Sequence, residues 1–210
     1  MGKRLFDMGF ALVALMGIAP VLLLAALWIK LDSVGPVFFR QVRVGRHGQE
    51  FRIFKFRTMR VAAERLGPQI TVGVDPRITT SGHFLRRYKI DELPQFLNVL
   101  LGDMSIVGPR PEVPRYVALY TPEQRRVVLS VRPGITDLAS LEYKDENDLL
   151  GGSEDPEATY VEQVLPAKLA LCVRYVQTRS FWGDLLIVVR TLRVFLPRKP
   201  ATMAFKARGR

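Results

Sequence analysis

A single cysteine, Cys172, stands in a chain of 210 residues, so no disulfide can form within it and nothing calls for an oxidising compartment. A cytosolic setting is the default. Histidine is nearly as scarce. His47 and His83 lie far apart with no second nitrogen or sulfur ligand beside either, which argues against zinc and leaves a metal held by oxygen open. Acids are outnumbered, 20 Asp and Glu against 31 Lys and Arg, for a formal net charge of +11. There is no internal repeat. Hydrophobic residues at 48% against 24% charged exclude disorder throughout, and a second full domain is not expected at this length.

The surplus charge is mostly arginine, 23 of the 31 basic residues, whose planar fork suits phosphate and carboxylate better than the point charge of lysine does. An anionic partner follows, whether nucleic acid, an anionic membrane surface or a phosphorylated substrate, and charge alone does not choose.

The apolar residues concentrate near the N-terminus. Met8 to Ile29 carry no charge, a run of 22 residues, enough for a helix to cross a hydrocarbon core of about 30 Å. A cleaved signal peptide is disfavoured, because the run is long and no small-x-small site precedes Lys30. Pro20 near its middle predicts a kink or break. Lys3 and Arg4 flank one side, and Lys30, Arg40, Arg43 and Arg46 the other. The positive-inside tendency therefore draws both ends to the cytoplasm. A re-entrant helix-break-helix around Ala19 and Pro20 satisfies both flanks; a kinked span is the alternative.

PVFFRQVRVGRHGQEFRIFKFRTM reads as two strands joined by Gly45-Arg46-His47-Gly48. Alternation places Phe54 and Phe56 on one face and Lys55 and Arg57 on the other; a solvated face is the plain reading of such a pair. A short helix is expected from Val61 to Leu66, then loop to residue 82. Phe96, Val99 and Leu100 give a helix from Gln95 to Leu101 that Gly102 stops, with Asp91 at or near its N-cap and Glu92 in the first turn. Thr121 and Pro122 open another helix through Val131, before Pro133 and Gly134. Tyr160 to Leu196 is helical in pattern. Within it FWGDLLIVVRTLRVF suits a membrane surface or a buried core about equally, and the tail from Pro197 is basic.

An acid at an N-cap followed by another in the first turn is ordinary helix stabilisation. The neighbours of Asp91 and Glu92 suggest more. Arg86 and Arg87 precede them, and GPRP at 108–111 restricts the backbone around Arg110 and so pre-aims its side chain. A carboxylate can attack a phosphate and form an acyl phosphate. Repulsion between the two requires arginines and a divalent metal, and Mg²⁺ is usually held by one or two carboxylates plus substrate phosphates.

These motifs together carry a resemblance: KRLFD, FRQVRVGRHGQEFRIFKFRTM, DPRIT, FLRRYKIDELPQFLNVLLGDMSIVGPRP, RPGIT and RSFWGDLLIVVRTL. The chain resembles the monotopic phosphoglycosyl transferases of the bacterial sugar transferase family over nearly its whole length. The resemblance implies an α+β, mostly helical fold. Residues 1–30 would form a re-entrant membrane helix, 31–196 a cytosolic catalytic domain with a small β-hairpin and interfacial amphipathic helices, and 197–210 a basic tail. The setting would be the cytoplasmic face of the bacterial inner membrane.

It further implies that Asp91 attacks the β-phosphate of a UDP-sugar, releasing UMP and leaving a phosphosugar-aspartate. Glu92 would bind Mg²⁺, and a polyprenol phosphate such as undecaprenyl phosphate would accept the phosphosugar. Arg110 would contact phosphate, with Lys55, Arg57 and Arg86 as further phosphate candidates and Asp145 as a candidate site acid. Membrane lipid is an implied partner, nucleic acid is not, and a homodimer is left open. Asp137, Leu138 and Ser140 depart from the family's usual Gly, Trp and Gln. Ala19 stands for a frequent Ser, and Cys172 lies where many relatives carry an acid. A membrane-tethered, non-enzymatic binder of nucleic acid or anionic lipid is the rival reading, indifferent to Asp91 and Glu92.

Overall fold

Where water is absent an uncharged run must satisfy its backbone polar groups internally, and α1 does so over Gly2–Asp32. The computed structural model describes residues 2–61, 63, 75–143 and 146–195. The helix expected from Val61 to Leu66 lies largely outside these, and Asp145 and the basic tail lie wholly outside. The helical backbone of α1 passes through Ala19 and Pro20 without a non-helical residue, so the expected break does not appear as a loss of helix. Proline costs a helix one internal bond and need not end it.

After α1 come four short strands, β1 (Phe38–Phe39), β2 (Val42–Val44), β3 (Glu50–Arg52) and β4 (Lys55–Phe56). They form the expected antiparallel hairpin as two successive pairs. β2 lies against β3 with Val42 opposite Arg52, and β1 against β4 with Phe39 opposite Lys55. The turn between is a single 3₁₀ turn in which His47 and Gly48 adopt φ of 60° and 78°.

Helix α2 (Thr80–Arg87) leads through a 3₁₀ segment, Ile90–Gln95, into α3 (Phe96–Leu101), which Gly102 ends at φ 100°. Strand β5 (Ser105–Val107) precedes α4 (Pro114–Val117) and α5 (Pro122–Val128). Thr121 and Gln124 form a full capping box on α5. The helix stops three residues before the expected Val131: the Leu129 carbonyl accepts from the His47 N–H at 2.7 Å, and the Ser130 hydroxyl donates to the Val127 carbonyl at 2.7 Å. Strand β6 (Gly134–Thr136) runs parallel to β5. Then follow α6 (Leu138–Glu142), α7 (Glu146–Gly151), α8 (Pro156–Thr159), a π-turn at Tyr160–Val164, α9 (Leu165–Thr178) and α10 (Phe181–Phe195). The long helical pattern from Tyr160 is thus divided, with Ser180 capping the second part through its hydroxyl and the Gly183 N–H at 3.1 Å.

The described residues are mostly helical, with three two-stranded sheets among them. The core has three apolar clusters, and α1 contributes to two. Ala11 packs with Val99, Met104, Ile106 and Ile187, while Ala25 and Ile29 pack with Phe56 and Leu85. A straight helix of this length spans about 46 Å, yet both ends are tied to the same body. At the start, Lys3 pairs with Asp184, Arg4 donates to the Val99 and Leu100 carbonyls that end α3, and Asp7 accepts from the Ser105 hydroxyl at 2.7 Å. At the end, Asp32 accepts from the Ser81 N–H at 2.9 Å and Trp28 packs on Phe84. Between these ends Leu12, Val13, Met16, Leu23 and Leu24 are exposed. α10 buries Ile187 and Val188 in the core, while Trp182, Leu186 and Leu192 are open.

Candidate active site

The 3₁₀ segment Ile90–Gln95 overturns the expected cap. Lys89 enters it in the left-handed region at φ 55°, the Glu92 N–H closes a short turn onto the Lys89 carbonyl, and α3 begins only at Phe96. Asp91 therefore lies more than a turn before the α-helix and caps nothing. The ordinary stabilising role for its carboxylate is removed.

What Asp91 does instead is visible in its contacts. Its side chain is buried, with Oδ2 2.9 Å from Lys55 Nζ and Oδ1 buried without a hydrogen-bond partner. A desolvated carboxylate oxygen without a donor is costly, and such groups need a reason, catalysis being a common one. Glu92 beside it is fully engaged. Arg110 grips it with Nη2 at 2.5 Å from Oε1 and Nη1 at 3.2 Å from Oε2, and Lys55 Nζ lies 3.3 Å from Oε1. Burial alone would raise the Glu92 carboxyl, but Arg110 and Lys55 outweigh it and hold the group well below the usual carboxylate range. Arg110 is raised in turn, chiefly by the charge of Glu92.

The backbone places these groups. Strand β4 brings Lys55 over the 3₁₀ segment, and Arg110 leaves the end of β5 on the Gly108-Pro109 turn. That turn lies so close to β6 that a Cβ on Gly134 would sit 2.1 Å from the Gly108 nitrogen, so neither strand could shift outward without moving Arg110. The pair of acids opens on a cavity of about 1480 Å³, whose wall also includes Arg43, Arg86, Arg110 and, from α1, Phe10, Ala14 and Ile18. A single small ligand typically occupies roughly 300–1,000 Å³. The volume exceeds that of a typical single-ligand site, and part of its wall is apolar.

Of the sequence candidates, Lys55 and Arg110 meet the acidic pair directly. Arg86 borders the same cavity, where burial lowers its guanidinium while Asp91 and Asp75 oppose this. Arg57 also borders the cavity but makes no ion pair with the two acids. Strand β4 ends at Phe56, so the alternation stops there, and the Arg57 guanidinium donates to the Ser33 and Val34 carbonyls at 2.7 and 3.0 Å, closing the end of α1. The departures at 137 and 172 come together: Asp137 Oδ1 accepts from the Ser140 N–H at 2.7 Å, and Oδ2 lies 3.8 Å from Cys172 Sγ. Ser140 borders the cavity. Sequence reasoning missed Arg43, which donates to the Pro111 carbonyl at 2.9 Å, and Glu112, which accepts from the Tyr160 hydroxyl at 2.7 Å. The Glu immediately after the Pro-Arg-Pro corner was the available signal.

Among the described residues no group of three or more His, Cys, Asp or Glu could hold a metal unaided. The unpartnered Asp91 Oδ1 and the adjoining Glu92 carboxylate fit Mg²⁺ in the mode where substrate phosphates and water complete the shell.

The site thus sets buried carboxylates among arginine and lysine, in a cavity bordered on one side by the apolar helix α1. The chain belongs to the bacterial sugar transferase family, whose model matches residues 1–198. It is 41% identical over 203 residues to a UDP-glucose:undecaprenyl-phosphate glucose-1-phosphate transferase of Caulobacter vibrioides, covering 90% of this chain and 68% of that relative. It is 39% identical to a UDP-N-acetylgalactosamine-undecaprenyl-phosphate N-acetylgalactosaminephosphotransferase of Aeromonas hydrophila (92% and 43%). It is 42% identical to the exopolysaccharide production protein PSS of Rhizobium leguminosarum bv. phaseoli (90% and 92%). The chain thus spans less than half the length of some relatives and nearly all of others.

Proposed function

We propose that the protein transfers a sugar 1-phosphate from a UDP-sugar to undecaprenyl phosphate or a similar polyprenol phosphate. A carboxylate oxygen of Asp91 attacks the β-phosphorus, the bond from that phosphorus to the bridging oxygen breaks, and UMP leaves. An oxygen of the polyprenol phosphate then attacks the same phosphorus and frees the Asp91 carboxylate. The observation that carries this reading is the buried Asp91 with one oxygen held by Lys55 and the other unpartnered. The names of the relatives support the substrate class.

Each neighbour has a task. Lys55 orients Asp91 through its 2.9 Å contact with Oδ2, and Arg110 carries positive charge to the donor's diphosphate, where charge stabilisation in a desolvated site is worth most. Glu92 is the residue that would hold Mg²⁺, which would supply further neutralisation of the phosphate oxygens. The two substrates differ in solubility, and α1 reconciles them. It enters and leaves the bilayer from the cytoplasmic side, a reading supported by the attachment of both its ends to one body and by the apolar residues exposed between them. The open faces of Trp182, Leu186 and Leu192 lie at the same interface.

The test uses the full chain in lipid nanodiscs with Mg²⁺ and a panel of UDP-sugars. UMP should appear with polyprenol phosphate present, and mass spectrometry of quenched turnover should find a phosphosugar on the Asp91 peptide. Product without any modified peptide would overturn the covalent route. For topology, cysteines introduced at Gly2 and Val34 should react from one side of sealed vesicles; labelling from opposite sides would mean a full span.

A further inference from the structure

Arg110 is held at its far end by Glu92, but a guanidinium is only as well placed as the backbone that carries it. Its neighbours Pro109 and Pro111 have no N–H to anchor the turn, so the N–H of Arg110 itself is the donor available there. It goes to Asp137 Oδ2 at 3.2 Å. Asp137 is 1% exposed. Its other oxygen accepts the Ser140 N–H, and the Cys172 thiol lies against Oδ2. No lysine, arginine or histidine lies within ion-pair distance of it among the described residues.

A buried carboxylate without a direct counter-ion is expensive. Capping the five-residue α6 does not account for it, since a neutral Ser, Thr or Asn caps as well. The one feature that a neutral cap would not serve is the pair of acceptor oxygens, one turned to Ser140 and the other to the chain segment carrying Arg110. Beyond those backbone groups the Asp137 charge reaches the Arg110 guanidinium, whose cationic form it helps to retain after Glu92 does.

We infer that Asp137 is a positioning residue for the transfer: by fixing the backbone N–H of Arg110 it sets where the guanidinium meets the diphosphate of the donor. The inference rests on the function proposed above. Asp137 touches no reacting atom, and its influence passes through Arg110 alone. Cys172 is a minor donor to the same oxygen, which gives a weakly polar thiol a reason to lie beside a carboxylate.

A double-mutant cycle tests this in the full-length protein, with UDP-glucose and UDP-N-acetylgalactosamine as donors. Asp137→Asn keeps the side-chain shape but sets an amide against one of two N–H donors. It should raise donor KM about tenfold, the size of one well-placed hydrogen bond, and leave the acceptor KM unchanged. In an Arg110→Ala background the same substitution should change donor KM hardly at all. UDP binding by calorimetry, which needs no turnover, should show the same pattern. Asp137→Ser keeps the cap on α6 but is too short for Arg110, and it should match Asn even if the Asn variant folds poorly. Equal effects of Asp137→Asn with and without Arg110, or equal loss for donor and acceptor, would make Asp137 merely structural and sink the inference. A wild-type donor KM in Arg110→Ala alone would instead remove the role assigned to Arg110 in the proposed function.

Discussion

Two clusters in this molecule bury a pair of carboxylates against a lysine, and they differ in whether every carboxylate oxygen finds a donor. At the root of α1, Asp7 accepts from the Ser105 hydroxyl and the Ile106 N–H, while Asp184 accepts from Lys3 and, at 2.8 Å, from the Tyr175 hydroxyl. Every oxygen there has a donor. Around Lys55, Glu92 is equally well served, but Asp91 retains one buried oxygen with none. The first cluster joins the apolar helix α1 to the body; the second leaves one carboxylate oxygen uncommitted. Satisfied buried polar groups hold structure together; the Asp91 oxygen is left without a donor, as are Arg57 Nε and the Tyr116 hydroxyl elsewhere in the described residues.

The largest expected effect comes from breaking the second cluster. Asp91→Asn should lower UMP release by about 10⁴-fold or more, as loss of a nucleophile does elsewhere, while leaving the melting temperature unchanged or raised. A marked fall in melting temperature would place Asp91 with the structural acids. Arg110→Ala comes next, with about 10²-fold slower turnover and an acid limb of the pH profile moved upward. The sign follows from the balance at Glu92. In the wild type its folded carboxyl is held below the unfolded value, so its contribution is present above the ordinary carboxylate range and lost only as pH falls through the depressed value. Without Arg110 burial dominates, and the group takes up its proton at higher pH. An unmoved acid limb would show that Lys55 alone controls Glu92.

Asp7→Ala should behave in the opposite sense to Asp91→Asn. It leaves the Ser105 hydroxyl and the Ile106 N–H without their acceptor, a cost of about 3 kcal/mol readable by chemical denaturation in detergent, with turnover by the folded fraction at the wild-type level. The smallest effect is expected at Arg57. Arg57→Ala strips the last carbonyls of α1 of their donor and should cost about 1–2 kcal/mol with donor KM unchanged. A raised donor KM would return Arg57 to the phosphate site.

Arg57 and Lys55 also show how far the sequence could be read. Period-two alternation correctly paired Phe54 with Phe56, whose rings both lie against Phe38, but it grouped Lys55 with Arg57 on the assumption that the strand continued. The strand is two residues long, and its end sends the second cation to α1. Asp91 stood out through its arginine and Pro-Arg-Pro neighbours, while the cap expected at its position does not form. The meeting of Asp137 with Cys172 and Arg110 had no sequence signal of its own, since the three residues lie on separate elements.

By itself the sequence determined the apolar helix, the hairpin, the stop at Gly102 and the grouping of acids with arginines near Pro-Arg-Pro, because each depends on neighbours within a few residues. Only the tertiary structure decided which of these charges would be neutralised. Whether a carboxylate oxygen finds a donor depends on side chains brought in from distant strands and helices, and burial then sets the consequence of leaving one oxygen without a partner.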